Sequence, residues 1–228
     1  MRAIFYSFQR DNNFGNIFVT DDSAKHLNVV RVKIGEEILV LNGCGLKALT
    51  KVSMITKNQI ELLVISMEES ESMHEISLAI ANPKKEAFED ILKIAVELGI
   101  QNIYPLSSEF SQYTYVYNDR IQRILESALI QSNNPFLPVI HPQAELIDYV
   151  KNLDSPIYFF NSKENNCGKL EFISGLRTIL IGPEGGFSLN EEDAILAKRN
   201  VYSIHLPTPI LRAPTAVASS VGYLLSLS

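Results

Sequence analysis

The strongest constraint on the fold is a change in hydrophobic periodicity near residue 73. Beyond it, short apolar runs alternate with longer segments that have helical spacing. The segment 84–98 is the clearest of these, because its apolar residues recur at steps of three and four: Phe88, Ile91, Leu92, Ala95 and Leu98. Gly99 then stands where a left-handed residue would end a helix. Alternating strands and helices predict an α/β fold with a mainly parallel sheet.

The same pattern gives the elements of this C-terminal part. We expect strands at 75–81, 102–106, 138–141, 156–160, 178–181 and 203–206, and helices at 84–98, 119–131, 144–153, 189–199 and 214–225. Ser188 and Glu191 form a capping-box pattern at the start of the fourth helix. Pro214 suits the first position of the last one.

The first seventy residues differ, because short strands and turns dominate them. Runs rich in β-branched and aromatic residues lie at 3–8, 16–20, 37–41, 47–55 and 59–67, with a short helix at 22–30. Asn42-Gly43-Cys44-Gly45 marks a hairpin. Five strands of this spacing predict a small β-barrel, and the polar run 68–72 predicts a linker. We therefore expect two domains, at 1–70 and 73–228.

Composition limits the class of protein. No apolar run is long enough to cross a bilayer, and the first residues indicate a strand, not a signal peptide. The two cysteines lie far apart, and the four histidines have no metal-binding spacing. We expect a cytoplasmic protein without a metal and without a membrane partner.

The formal net charge of −6 argues against a generic nucleic-acid binder, but residues 1–57 carry +3. This basic part is either an RNA-binding surface or an ordinary solvated one.

Two loops occupy positions where open α/β sheets bind ligands, beyond the carboxyl ends of strands. The first, 182–187, follows an apolar strand and contains three glycines around Glu184. Glycines allow positive φ and a close approach of the backbone to a ligand, although a tight turn before a capped helix explains them as well. The sequence has neither a P-loop nor a G-x-G-x-x-G after strand 75–81.

The second loop, 207–214, has Arg212 among apolar residues. Leu206, Ile210 and Leu211 suit the walls of a slot for an aromatic ring such as adenine. Arg212 indicates an anionic or carbonyl-rich partner, or else a structural ion pair with Glu184.

The two loops together carry a family resemblance. "LIGPEGGFS" (180–188) followed by "ILRAPTA" (210–216) resembles the closing signature of the RsmE family, the bacterial 16S rRNA uridine-N3 methyltransferases. The segments 26–38, 81–109 and 128–134 also resemble that family, in the same order along the chain.

The resemblance implies a PUA-like RNA-binding barrel followed by a SPOUT methyltransferase domain with a C-terminal trefoil knot. It also implies a homodimer that binds S-adenosylmethionine. The cofactor-binding residues implied in this way are Phe160, Asn161, Gly182, Gly185, Gly186, Leu206, Ile210, Leu211 and Thr215.

The chain departs from the family pattern at several places. Prolines stand at 207, 209 and 214, and Phe110, Asn133, Asn134 and Asn28 replace residues that are arginine or glycine in the family. Fewer cationic RNA contacts follow, so the departures affect RNA affinity more than cofactor binding.

The resemblance implies methylation of N3 of a specific uridine in 16S rRNA, in the decoding region of the small ribosomal subunit. We assign Arg212 the stabilisation of negative charge on the base. Glu184 either accepts the N3 proton or orients Arg212. Candidate RNA contacts are Arg2, His26, Arg31, Lys33, Lys84 and Lys85; His26 suits a buried structural role equally well. Two alternatives remain, a non-catalytic RNA-binding homologue and a methyltransferase for another RNA site.

Overall fold

The computed structural model of the chain describes residues 2–9, 15–29, 31–72, 74–111, 113–162 and 175–227, without the side chains of Asp21, Asp22 and His26. The chain forms two compact units. The first comprises Met1–Met73 with Leu125–Leu137, and the second comprises His74–Ile124 with Pro138–Ser228. No helix in the described part of the chain has the length and apolar character needed to cross a membrane.

A five-stranded sheet with one helix forms most of the first unit. Its elements are β1 (Arg2–Phe5), β2 (Ile17–Val19), α1 (Asp21–Val29), β3 (Glu37–Leu41), β4 (Leu46–Ile55) and β5 (Ile60–Glu69). The strand order is β1-β3-β4-β5-β2, and all pairs are antiparallel except β1 with β3. The five predicted strands and the short helix are therefore present.

The predicted hairpin at 42–45 joins β3 and β4. Asn42 Oδ1 accepts the N–H groups of Cys44 and Leu46 at 2.8 and 2.9 Å. Gly43 and Gly45 have φ of +79° and +102°, which side chains rarely adopt. A Cβ at Gly45 would also lie 2.7 Å from the Phe136 ring, so glycine is required there on two counts.

The predicted linker begins too early. Glu68 and Glu69 belong to β5, opposite Lys47 and Leu46 of β4. Lys47 and Glu68 stand opposite each other in the ladder, so backbone pairing with β4 carries β5 through the first two acidic residues.

A parallel sheet of seven strands forms the centre of the second unit. The elements from β6 onwards are β6 (Ile76–Ala81), α2 (Lys85–Glu97), β7 (Asn102–Ser107), α3 (Asp119–Ser132), β8 (Val139–Ile140), β9 (Ala144–Glu145), α4 (Leu146–Asn152), β10 (Ile157–Asn161), β11 (Arg177–Ile181), α5 (Leu189–Leu196), β12 (Val201–His205) and α6 (Ala213–Leu225). Helix α3 belongs to the second unit up to Ile124 and to the first unit from Leu125. The order is β12-β10-β11-β6-β7-β8, with β9 also beside β7. Every pair in this sheet is parallel, as the alternating pattern predicts.

Burial confirms the apolar stripe of α2. Phe88, Ile91, Leu92 and Ala95 are at most 1% exposed, and Val96 is buried beside them. Leu98 lies just beyond the last helical residue, and Gly99 has φ of +70°, which confirms the left-handed end of the helix.

Helix α4 starts later than predicted. Ala144 and Glu145 pair with Leu106 and Ser107 as a short strand, so the helix can begin only at Leu146. The capping box before α5 is confirmed: Glu191 N–H donates to Ser188 Oγ, and Ser188 N–H donates to Glu191 Oε2. Helix α5 ends at Leu196 and not at Arg199, because the next turn is tighter, with Lys198 N–H donating to Ile195 O.

Candidate functional site

The site lies at the carboxyl edge of the second unit's sheet. β10 pairs in parallel with β11 on one side and with β12 on the other. The segments that follow β11 and β12 therefore leave the sheet at the same edge as the end of β10. These segments are the glycine loop, 182–187, and the loop 206–212.

A cavity of about 510 Å³ lies between these loops, the end of β10 and α6. Its size is within the range of small-molecule sites. The lining residues are Phe159, Phe160, Asn161, Ser162, Ile181, Gly182, Pro183, Glu184, Gly185, Gly186, Phe187, Glu192, Leu206, Thr208, Pro209, Ile210, Leu211, Arg212, Ala213, Ala216 and Ser220. The two loops thus share one cavity, with Gly185 and Leu211 both in its wall.

The glycine loop is a tight turn whose backbone forms part of the wall. Gly186 N–H donates to Pro183 O at 2.9 Å, and Gly186 has φ of +73°. A Cβ at Gly182 would lie 3.3 Å from the ring of Phe187, which is buried and packs 5.7 Å from Phe159 between ring centroids. The turn and the ligand-wall interpretations are therefore compatible, because the same turn faces the cavity.

Two polar side chains of the wall, Asn161 and Ser220, differ in their hydrogen bonding. Asn161 Nδ2 donates to Ser203 Oγ at 2.6 Å, which holds the amide at the end of β10. Ser220 is fully buried in α6, and its Oγ has no hydrogen-bond partner within the described structure. A buried hydroxyl without a partner costs free energy, and this one belongs to a residue of the cavity wall.

Helical geometry explains which residues of α6 reach the cavity. Ala213, Ala216 and Ser220 are three, four and seven positions apart and share one face. Thr215 lies on another face, is exposed and is not a lining residue. Eight of the nine predicted cofactor-binding residues line the cavity, and Thr215 does not. The sequence analysis did not identify Ser220. The only indication in the sequence was a serine within an apolar helix.

Arg212 and Glu184 both line the cavity, but they do not pair with each other. Glu184 Oε1 accepts the backbone N–H of Lys84 at 3.1 Å. The described residues contain no ion pair between Glu184 and Arg212. Arg212 is exposed at the N-cap position of α6. The structural ion pair that the sequence allowed is therefore absent from this arrangement.

The candidate RNA contacts divide between the two units. Arg2, Arg31 and Lys33 belong to the first unit, and their side chains are exposed. Arg2 Nε lies 3.1 Å from Glu36 Oε1, and Arg31 has a left-handed φ of +53°. Lys84 and Lys85 are exposed at the start of α2 in the second unit. The side chain of His26 lies outside the described part of the chain.

The described residues contain no group of three or more histidine, cysteine, aspartate or glutamate side chains that could hold a metal ion.

Comparison with known families gives the classification. A family model described as "RNA methyltransferase domain" matches residues 69–225, well over half of the chain. The chain belongs to this RNA methyltransferase family. A second model, "RNA methyltransferase PUA domain", matches residues 19–65. The family that the motifs indicated is thus confirmed, and the N-terminal part has PUA-domain character.

Individual relatives of this RNA methyltransferase carry one recurring name. "Ribosomal RNA small subunit methyltransferase E" of Rickettsia conorii is 28% identical over 200 residues, covering 85% of this chain and 82% of the relative. The Aquifex aeolicus protein of that name is 27% identical over 230 residues, covering 98% and 99%. The crystal structure of the Neisseria gonorrhoeae enzyme bound to S-adenosyl methionine has a TM-score of 0.90 at 23% identity, covering 100% of this chain and 98% of that one. That likeness establishes the fold.

Backbone conformation predicts opposite effects for one Gly-to-Ala change in the glycine loop and one in α6. Gly186→Ala should lower the free energy of unfolding by roughly 1–2 kcal/mol, because φ of +73° is unfavourable for alanine. Gly222→Ala in α6 should raise it by about 0.5–1 kcal/mol, since alanine favours helices and nothing lies within 4 Å of the added Cβ. Urea denaturation measures both. Equal stability of the two variants would contradict the assigned geometry of the loop.

Proposed function

We propose that this protein uses S-adenosylmethionine to methylate N3 of a specific uridine in 16S rRNA, in the decoding region of the small ribosomal subunit. One observation carries the proposal: the glycine loop and the loop 206–212 line one cavity with Arg212 in its wall. Family membership and the name shared by the relatives support the reaction class. The atom and the nucleotide are inferences from the motifs.

The lining of the cavity fits this cofactor. Leu206, Ile210 and Leu211 supply apolar surface for an adenine ring, and the glycine loop presents backbone groups instead of side chains. The amide of Asn161 at the end of β10 is a polar group that can hold the remainder of the molecule. When bound, S-adenosylmethionine supplies a methyl group already activated by its sulfonium charge.

Arg212 has the chemistry that the nucleotide requires. N3 of uridine carries a proton and is a poor nucleophile until that proton leaves. A guanidinium that hydrogen-bonds a uracil carbonyl, or a flanking phosphate, stabilises the negative charge that then develops on the base. No described ion pair engages Arg212, so the group is available for this role.

Glu184 has two possible contributions in this scheme. One carboxylate oxygen, Oε1, is held by Lys84 N–H, which fixes the side chain against the start of α2. Its Oε2 has no hydrogen bond among the described residues, so it can accept the N3 proton. Orientation of Arg212 by Glu184 is the weaker alternative, because no ion pair joins the two side chains.

The finer features of the fold belong to the same proposal. We infer that residues 1–70 form a PUA-like β-barrel and that residues 73–228 form a SPOUT domain with a deep C-terminal trefoil knot. The knot is inferred from the family resemblance, because knots are nearly absent from proteins and no periodicity predicts one. The sheet order is compatible with it: the chain passes from β11 through α5 to β12 on the other side of β10.

The proposal includes a homodimer, 16S rRNA or the small subunit as substrate, a cytoplasmic location and no metal. A dimer would cover the remaining exposed surface of Ile210, a residue of the cavity wall that is 89% exposed, and Leu189, which is 73% exposed.

The function is tested by cofactor titration and RNA mass spectrometry. Isothermal titration with S-adenosylmethionine should give saturable one-site binding, and a strain that lacks the gene should lose 3-methyluridine from its small-subunit rRNA. Absence of binding heat would favour a non-catalytic RNA-binding homologue. Loss of a different methylated nucleotide would indicate another RNA site.

Arg212→Ala should lower kcat for methyl transfer by about 10²–10³, because it removes a group that stabilises the charge of the transition state. Its affinity for S-adenosylmethionine should stay close to that of the wild type. Arg199→Ala, which removes an exposed arginine outside the cavity, is the matched control and should leave kcat unchanged. Unchanged turnover of Arg212→Ala would refute its assignment.

Arg31→Glu should weaken RNA binding and reduce the slope of log affinity against log salt by at least about 1, because an RNA phosphate loses its cationic partner. Arg31→Lys keeps the charge and should retain most of the affinity. Fluorescence anisotropy with a small-subunit rRNA fragment measures both across a salt series. Identical slopes for Arg31→Glu and the wild type would remove Arg31 from the RNA-binding surface.

A further inference from the structure

Phe110 is an exposed aromatic side chain beside the glycine loop. It follows β7 in the turn at 109–110 and is 43% exposed. A Cβ built on Gly185 would lie 3.3 Å from Phe110 Cβ and 3.7 Å from its Cγ. The base of the side chain therefore packs on the loop that lines the cavity. Phe110 is not itself a lining residue, so its ring lies outside the cavity and next to it.

The turn that carries Phe110 is held in place by hydrogen bonds. Glu109 N–H donates to Glu191 Oε1 at 2.8 Å, and Glu191 is the residue that completes the capping box of α5. Ser111 N–H donates to Ser108 O at 3.0 Å, and Ser108 N–H donates to Ser111 Oγ at 3.0 Å. The turn therefore holds the ring in place before a ligand binds, so binding costs little conformational entropy of the chain.

Further aromatic rings follow along the same segment. Tyr115 stacks on the buried Phe88 with a centroid distance of 3.6 Å, and its N–H donates to Gln143 Oε1. Tyr113 lies 5.1 Å from Tyr115 between ring centroids and is 42% exposed. Burial raises the pKa of Tyr115 above its ordinary value, so this ring stays neutral. The segment therefore exposes aromatic rings along a chain that is anchored to the core through Phe88.

The chemistry of the turn favours a nucleobase over a phosphate. The neighbours of Phe110 in the turn are Ser108, Glu109 and Ser111, which provide no cation, and Glu109 would repel a phosphate. Every nucleobase has a π-face that stacks on an aromatic ring, and single-stranded RNA is commonly recognised in this way. Cations near the cavity include Lys84, whose backbone N–H bonds the cavity residue Glu184, and its neighbour Lys85. They suit the phosphates of the same strand.

We propose that the exposed face of Phe110 stacks on a nucleobase that flanks the target uridine. The inference rests on the proposed function, because it requires RNA at the mouth of this cavity. Since the ring lies outside the cavity, it meets a neighbouring base and not the base that reacts. The chain thus has an aromatic RNA contact at a position where the family resemblance places arginine.

The test separates stacking from simple apolar packing at position 110. Phe110→Leu keeps an apolar side chain against Gly185 but has no π-face, whereas Phe110→Tyr keeps the ring. Binding of a small-subunit rRNA fragment is measured by anisotropy without cofactor. Phe110→Leu and Phe110→Ala should each weaken binding by about 5- to 150-fold, and Phe110→Tyr should stay within about threefold of the wild type. Val139→Ala, at a 56% exposed position of the same unit, is the surface control.

A fluorescent base gives a direct readout. With 2-aminopurine next to the target uridine, on either side in separate fragments, binding of the wild type should quench the fluorescence of one fragment, and Phe110→Leu should relieve that quenching. Equal binding and equal quenching by Phe110→Leu and the wild type would overturn the proposal. A smaller oligomer mass for Phe110→Ala by light scattering would also overturn it, because the ring would then serve a contact between copies.

These outcomes are distinct from failure of the proposed function. If the wild type transfers no methyl group to the RNA but Phe110-dependent quenching persists, the methyl-transfer proposal fails and stacking stands. If methyl transfer by Phe110→Leu matches that of the wild type in KM for RNA and in kcat, stacking fails and the proposed function stands.

Discussion

The parallel pairing of β10 with both β11 and β12 is the arrangement on which the site depends. In the register of the sheet, Phe159 lies beside Leu180 on one side and Ser203 on the other. Parallel strands end at the same edge, so the loops that follow β11 and β12 meet there although residues 188–205 lie between them in the chain. If more strands separated β11 from β12, the two loops would not face each other and would not enclose a cavity.

Burial of β10 and β11 keeps this edge in place. Phe159, Ile179 and Leu180 are at most 2% exposed, and full burial of side chains of this size stabilises by about 1.5–3 kcal/mol each. The glycine loop continues directly from this buried strand, with Phe187 packed back against Phe159. The flexibility that glycine allows is therefore confined to a short turn with fixed ends. The backbone of the glycine loop is therefore held in position as part of the cavity wall.

Much of the second unit could be predicted because its signals are local. The stripe of α2, the left-handed Gly99 and the capping box of Ser188 and Glu191 each depend on residues within about one or two helical turns. The boundaries that were predicted wrongly, those of β5 and α4, depend instead on residues that are distant in sequence. Glu68 belongs to β5 because its backbone pairs with that of Lys47 in β4, and Ala144 pairs as a strand with Leu106. Such partners are distant in sequence and leave no local trace.

The candidate site likewise combines features that short segments of sequence determine with contacts that only the tertiary structure sets. The sequence by itself determined that a glycine turn and an arginine-bearing apolar loop follow two strands of an α/β domain, because strand ends, glycines and charge are properties of short segments. Only the tertiary structure decided that Glu184 bonds the backbone of Lys84, one hundred residues earlier in the chain. It also decided that Ser220 and not Thr215 lines the cavity, and that Phe110 packs on Gly185. Strand order and helix rotation set these contacts, and both are determined by packing of the whole domain.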